Sequence, residues 1–215
     1  MTARALGLAL LAASVLVPRA ALADVGDEEA AYDPGPAVRR SGFVMALDGA
    51  FAVGTASGYP LELAKIDDPA YEASTGFGTG GSGGLMLGGA LRDELLVGVG
   101  FRLTSLSGGT VSTSGFSVHL HLETFPWASR GGLAADLGLF LEAGAGGRVA
   151  ERDGADVADG GALSVLRAGA ALDALRLSPS FSVGPVLTVS HEFSQSMTAT
   201  LGTIGVRLLY QGGPG

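Results

Sequence analysis

The chain has 215 residues, no cysteine, and 21 acidic against 13 basic residues, a formal net charge of −8 at pH 7. The lack of cysteine excludes disulfides, thiolate metal centres and a lipidated N-terminal cysteine together, and the acidic balance leaves no basic patch for nucleic acid. The composition is 47% hydrophobic with 36 glycines, yet beyond the first two dozen positions no apolar run approaches the about 20 residues of a membrane helix.

Residues Met1–Asp24 carry one early positive charge at Arg4, an apolar run from Ala5 to Val17, then Pro18 and the small-residue exit Ala21-Leu22-Ala23. That order marks a secretory signal peptide, residues 1–23, with cleavage after Ala23. Its apolar run is too short to persist as an anchor across about 30 Å of hydrocarbon. A periplasmic segment, residues 24–40, is expected to follow. Any membrane attachment must then come from the fold, and an apolar, glycine-rich chain without long apolar runs fits a membrane-spanning sheet, whose lipid-facing residues alternate with inward-facing ones.

From Gly42 the chain alternates with period two. Phe43, Met45, Leu47, Phe51 and Val53 share one parity, and Ala46, Asp48, Ala50 and Ala52 the other. The second segment sets Leu85, Leu87 and Leu91 against Met86, Gly88, Ala90 and Arg92. A tight link at Arg92-Asp93-Glu94 makes a hairpin with the third, where Leu95, Val97, Val99, Phe101 and Leu103 oppose Gly98, Gly100, Arg102 and Thr104. In the fourth, Phe116, Val118, Leu120 and Leu122 oppose Ser117, His119, His121 and Glu123. After Pro126-Trp127, the fifth sets Leu133, Leu137, Leu139 and Leu141 against Asp136, Gly138, Phe140, Glu142 and Gly144.

The sixth segment, Gly161 to Asp173, opposes Leu166, Ala168, Ala170 and Leu172 to Arg167, Gly169, Ala171 and Asp173, although its Ala/Leu content also suits a helix. The seventh sets Phe181, Val183, Pro185, Leu187 and Val189 against Ser180, Ser182, Gly184, Thr188 and Ser190. The eighth sets Thr200, Ile204, Val206, Leu208 and Tyr210 against Leu201, Thr203, Gly205, Arg207 and Leu209. The apolar faces carry no charge, although a chain with 16% charged residues would place roughly one on every six positions. A charge on the lipid face of a barrel costs about 2 to 4 kcal/mol at the bilayer midplane, which accounts for the vacancy.

Long connections are expected over residues 55–79, 105–113, 148–160 and 191–197, alternating with short ones. With an even strand number this predicts an all-β, eight-stranded antiparallel up-and-down transmembrane β-barrel over residues 41–211, a tail over residues 212–215, both termini in the periplasm and the first loop outside. A soluble lipocalin-like barrel has the same strand count with the polarity reversed. The polar face here, mostly Gly, Ala, Ser and isolated charges, suits the crowded interior of a narrow barrel better than a water-facing surface.

The eight alternating segments between Gly42 and Gln211 resemble the small bacterial outer-membrane β-barrels of the OmpA/OmpX-like and OmpW-like group. In the last segment Thr203-x-Gly205-x-x-Leu208-x-Tyr210 looks like the C-terminal insertion signal of that family, with the departure that Gln-Gly-Gly-Pro-Gly follows Tyr210. The resemblance implies residence in the outer membrane after export, outer-membrane lipids and the assembly machinery as partners, and a monomer.

The inward set Asp48, Arg92, Arg102, Glu123, Asp136, Glu142, Arg167 and Arg207 balances cations against anions, so an interior ion-pair network is expected to fill the lumen, joined by His119 and His121. A narrow ion path gated by those pairs is the alternative. His119, His121 and Glu123 lack a fourth metal ligand, so neither metal nor cofactor is expected. Enzymes of this class modify lipid A with rim Ser and His, and Ser190-His191-Glu192 falls near a rim. Adjacent strand residues point to opposite faces, so Ser190 and His191 are not expected to share a proton. No catalytic residue is assigned. Phe43, Trp127 and Tyr210 fall near the expected periplasmic strand ends and Phe51 and Phe116 near the outer ends, the placement of two aromatic girdles.

Overall fold

The computed structural model describes Arg40, residues 42–130 and residues 132–212. The expected signal peptide, residues 24–39 and the last three residues of the expected tail lie outside the described residues. The ten strand segments are β1 (Gly42–Gly58), β2 (Ala73–Arg92), β3 (Leu95–Gly108), β4 (Val111–Thr124), β5 (Leu137–Arg152), β6 (Ala155–Asp159), β7 (Leu163–Leu172), β8 (Leu175–Ser178), β9 (Phe181–Phe193) and β10 (Met197–Gln211). β6 and β7 both pair with β5, while β7 and β8 both pair with β9, so these three pieces form one stave. The sheet therefore has eight antiparallel staves and closes through β10 on β1.

Closure fixes the dimensions. Directly opposed residues lead from Val44 through Gly88, Gly98, His121, Glu142, Arg167, Ser190 and Leu201 back to β1 at Gly54, ten residues further on. Such a stagger tilts the strands by roughly 40°, and eight strands enclose a space that side chains fill.

The alternation read from the sequence sorts the two faces. Leu47, Leu87, Val99, Leu120, Leu141, Leu166, Leu187 and Ile204, one from each stave, are exposed on the outside. Between them, residues such as Arg102, His121, Glu142, Arg167 and Arg207 are buried. Apolar clusters occupy the two ends of the lumen. Val44, Ala46, Met86, Leu96, Phe125 and Leu209 pack at the end where the chain enters and leaves, here the terminal end. Ala73, Val111, Ala150, Ala158, Leu163 and Met197 pack at the opposite, loop end.

Four expectations are corrected. The long connections shrink because strands run on into them: residues 59–72 join β1 to β2, Gly109-Thr110 join β3 to β4, Asp153-Gly154 join β5 to β6, and residues 194–196 join β9 to β10. The regular alternation of long and short connections is absent, since residues 125–136 at the terminal end form one of the longest. Leu133 lies in the helical turn α1 (Gly132–Ala135) rather than on the fifth strand. The sixth stave is strand, as read, but longer than its expected span and broken twice. Its first break sits at Gly161, which has φ +55° and whose N–H donates to Asp159 Oδ1 at 2.7 Å.

The Asp153-Gly154 turn has φ +53° and +78°. Two successive positive φ values make the tight hairpin that an Asp-Gly pair favours. At the same end Tyr59 N–H donates to the Ser196 carbonyl (2.8 Å), Asp159 N–H to the Tyr59 carbonyl (3.1 Å) and Ser196 Oγ to the Asp159 carbonyl (2.7 Å). These bonds lace the start of the first loop to β6 and to the connection between β9 and β10.

Candidate functional site

The site is the lumen, and its side chains arrive by strand parity. In the middle of the barrel Arg102 on β3 forms a two-pronged pair with Asp48 on β1 (Nη2 to Oδ2, 2.9 Å) and donates to Ser82 Oγ at 3.1 Å. Arg167 on β7 donates to Glu142 Oε2 on β5 at 2.6 Å. Glu142 Oε1 also lies 2.9 Å from His121 Nδ1 and 3.3 Å from His119 Nε2, both on β4.

Arg207 on β10 bridges two carboxylates. Its Nη1 donates to Glu123 Oε2 at 2.9 Å, and its Nε and Nη2 donate to Asp173 at 3.2 and 2.7 Å. The same Glu123 oxygen lies 3.3 Å from His121 Nε2. The network thus runs without interruption from Arg167 through Glu142, His121, Glu123 and Arg207 to Asp173. Nearer the loop end, Arg148 donates through Nε to Glu192 (2.9 Å), Nη1 to Thr113 (2.9 Å) and Nη2 to Thr104 (2.6 Å).

Inward glycines make room for these long side chains. A methyl group at Gly100 would overlap the His119 ring, and one at Gly138 would overlap the Glu123 carboxylate. The cavity left in the middle of the network is about 20 Å³, lined by Asp48, Arg102, His119, His121, Glu142 and Arg207 among others, which is room for about one water molecule. Paired charges in so dry a space offset the cost of desolvation only while every partner is present. This arrangement fills the middle of the lumen.

The terminal mouth has its own latch. Arg40 lies over the Phe125 ring, 3.6 Å from its centroid, and donates to the Ala135 carbonyl at 2.8 Å and to Asp136 Oδ1 at 3.2 Å. Burial pushes the Arg40 pKa below its ordinary value, with Asp136 acting in the opposite sense. Arg176 donates to the same Asp136 oxygen at 3.0 Å.

The sequence-read residues divide accordingly. Asp48, Arg102, His119, His121, Glu123, Glu142, Arg167 and Arg207 meet inside the lumen, whereas Asp136 sits at the mouth just before β5. Arg92 is exposed at the end of β2, because the register shifts between Ala90 and Arg92 and breaks the parity that would have turned it inward. Asp173, on the inward parity of the sixth segment, joins the network as a partner of Arg207, whereas Arg40, Arg148 and Glu192 fall outside the set that alternation gathers. Arg148 and Glu192 continue the inward parity of Gly144 and Ser190 into stretches read as loops.

Outside, Tyr210 stands 6.5 Å from Phe43 and 5.0 Å from Phe181, centroid to centroid, an aromatic cluster at the terminal end. Phe51 and Phe116 are exposed further towards the loop end, and Trp127 lies in the β4–β5 connection at the terminal end. Ser190 is buried in the lumen, while the neighbouring His191 pairs outside with Thr200 Oγ1 at 2.9 Å and stacks on Phe193. Nothing in this geometry lets Ser190 and His191 exchange a proton.

No family model matches the chain, and no curated protein matches it in sequence. Among solved structures, Neisserial surface protein A superposes with a TM-score of 0.53 at 12% identity, covering 80% of this chain and 98% of that one. The fold is that of the small eight-stranded outer-membrane β-barrels. Ail of Yersinia pestis, in complex with the heparin analogue sucrose octasulfate, aligns at 13% identity over 78% of this barrel chain and 99% of its own, with a TM-score of 0.44. OprG of Pseudomonas aeruginosa aligns at 12% identity over 81% and 99%, with a TM-score of 0.42. The fold of this barrel is read from the first of these superpositions.

Proposed function

We propose that the chain is an integral outer-membrane protein that serves envelope structure or surface interaction as a closed, non-catalytic monomeric barrel. The observation that carries this reading is the contrast between its faces: exposed apolar side chains on all eight staves, and a charge-paired lumen with a cavity of about 20 Å³. An outward apolar surface on every stave has no stable place in water, and lipid tails are the partner that fits it. Export through the signal peptide and insertion by the outer-membrane assembly machinery belong to the same reading, as does a periplasmic location of the terminal end.

The loop end would then face outwards. Its exposed carboxylates, Glu62, Asp67, Asp68, Glu72, Glu151, Asp153, Asp156 and Asp159, outnumber Lys65 and Arg152, so this surface suits a cationic partner and repels a polyanion. Cell fractionation combined with heat-modifiable gel mobility tests the location. Recovery in the outer-membrane fraction, with a folded band that shifts on boiling, is expected, whereas recovery in the periplasmic supernatant would favour a soluble barrel. Planar-bilayer recording tests closure. Steady, sizeable conductance at neutral pH would replace the closed barrel by a channel.

A further inference from the structure

The buried His121 ring has a carboxylate at each nitrogen, Glu142 Oε1 at 2.9 Å from Nδ1 and Glu123 Oε2 at 3.3 Å from Nε2. An ionised carboxylate only accepts hydrogen bonds, and a neutral imidazole has a single N–H. Satisfying both contacts therefore requires a proton on each ring nitrogen, or a proton on one of the carboxylates. Each carboxylate is also held by a guanidinium, Glu142 by Arg167 at 2.6 Å and Glu123 by Arg207 at 2.9 Å. An arginine does not give up its proton in a protein, and an arginine-paired carboxylate favours its ionised form. The proton belongs on the imidazole.

Counting charges along the connected network points the same way. Arg167 and Arg207 face Glu142, Glu123 and Asp173, two guanidiniums against three carboxylates. The network is short of one cation. His119 is poorly placed to supply it, because its Nδ1 is buried with no partner among the described residues while its Nε2 faces Glu142. That is the environment of a neutral ring carrying its proton on Nε2.

We infer that His121 is a buried imidazolium whose proton completes the charge balance of this network, and that the closed barrel loosens on the alkaline side when that proton is lost. The groups facing His121 are Glu123 and His119 on its own strand, Glu142 and the Phe140 ring from β5, and Arg207 from β10, with Asp48 and Arg102 lining the cavity beside it. Once the proton passes to water, one ring nitrogen and one carboxylate oxygen face each other as two acceptors, and the network carries an uncompensated negative charge. A buried unpaired charge is costly, so the network must repack or admit water.

The test uses the full barrel, labelled with 15N-histidine in lipid nanodiscs. Only His119, His121 and His191 contribute signals. At pH 7 one ring is expected with both nitrogens protonated, and it is assigned by its loss in His121→Gln. His119 should show a bare Nδ1, and His191, which pairs with Thr200 outside the lumen, supplies the third signal. A neutral His121 at pH 7 overturns the inference, and the wild-type spectrum decides this even if the variant does not fold. Opening events in planar bilayers should rise about tenfold per pH unit as the neutral fraction of His121 grows, and be pH-independent in His121→Gln. A His121 that titrates while openings stay constant overturns the coupling to closure. The ring spectrum does not depend on cellular location, so its failure and that of the proposed function are separable.

Discussion

The two faces of the same strands obey opposite rules. On the outer face of β4, Phe116, Val118, Leu120 and Leu122 are exposed and interchangeable in kind, since lipid tails or detergent accept any apolar side chain. On the inner face of β4, His119, His121 and Glu123 each have assigned partners on other staves, down to the oxygen atom. The outer face is specified by what it lacks, charge, and the inner face by what it pairs. Exchanging the rules should therefore break the barrel in different ways.

The largest effect is expected inside. Arg207→Met removes the guanidinium that neutralises both Glu123 and Asp173, both buried, and breaking a buried pair by taking one partner typically costs about 3 to 5 kcal/mol. Urea unfolding of the vesicle-inserted barrel, followed by the fluorescence of its single tryptophan, Trp127, measures it. A loss below about 1 kcal/mol would mean that water already reaches the pair, contradicting a dry lumen.

On the outer face the corresponding exchange is Leu120→Arg. It should cost about 2 to 4 kcal/mol if Leu120 lies near mid-bilayer, whereas Ser112→Arg, on the same face towards the end of β4, should cost about 0 to 1 kcal/mol. The same unfolding assay in vesicles, repeated in water-soluble micelles, reads the gradient. Equal costs at the two depths would show that this face does not meet a hydrocarbon slab.

The contrast between faces also explains what the sequence revealed. Parity alone places Asp48, Arg102, His121, Glu142, Arg167 and Arg207 inside, because outward charge is so strongly disfavoured that alternation becomes visible without any structure. It fails at Arg92, where a register shift at the hairpin reverses the face. It fails at Arg148 and Glu192, where glycine-rich and polar stretches read as loops although Asp153-Gly154 was a usable hairpin signal. Partnership is a further step that parity cannot supply. Glu123 meets Arg207 across 84 positions of sequence, and that meeting depends on the ten-residue stagger at closure, which no single strand encodes. The location of Arg40 over Phe125 has the same character, since the arginine precedes the first strand and its acceptor Asp136 precedes the fifth.

The smallest expected effect separates pairing from charge as such. Arg148 and Glu192 stand apart from the central network, joined to each other and, through Arg148, to Thr104 and Thr113. Arg148→Met alone leaves Glu192 buried without its cation and should cost about 3 kcal/mol, whereas Arg148→Met combined with Glu192→Leu removes both charges and should lie within about 1 kcal/mol of the parent. The two threonine hydroxyls lose a donor but can still donate to neighbouring carbonyls, as Thr113 Oγ1 already does to Leu106 at 3.4 Å. A double variant as damaged as the single one would mean that the charges themselves, rather than their pairing, hold the loop end of the lumen together. Near-parent stability would confine the need for ionic groups to the middle of the barrel, where His121, Glu123 and Arg207 are joined in one chain and cannot be removed two at a time without stranding a third.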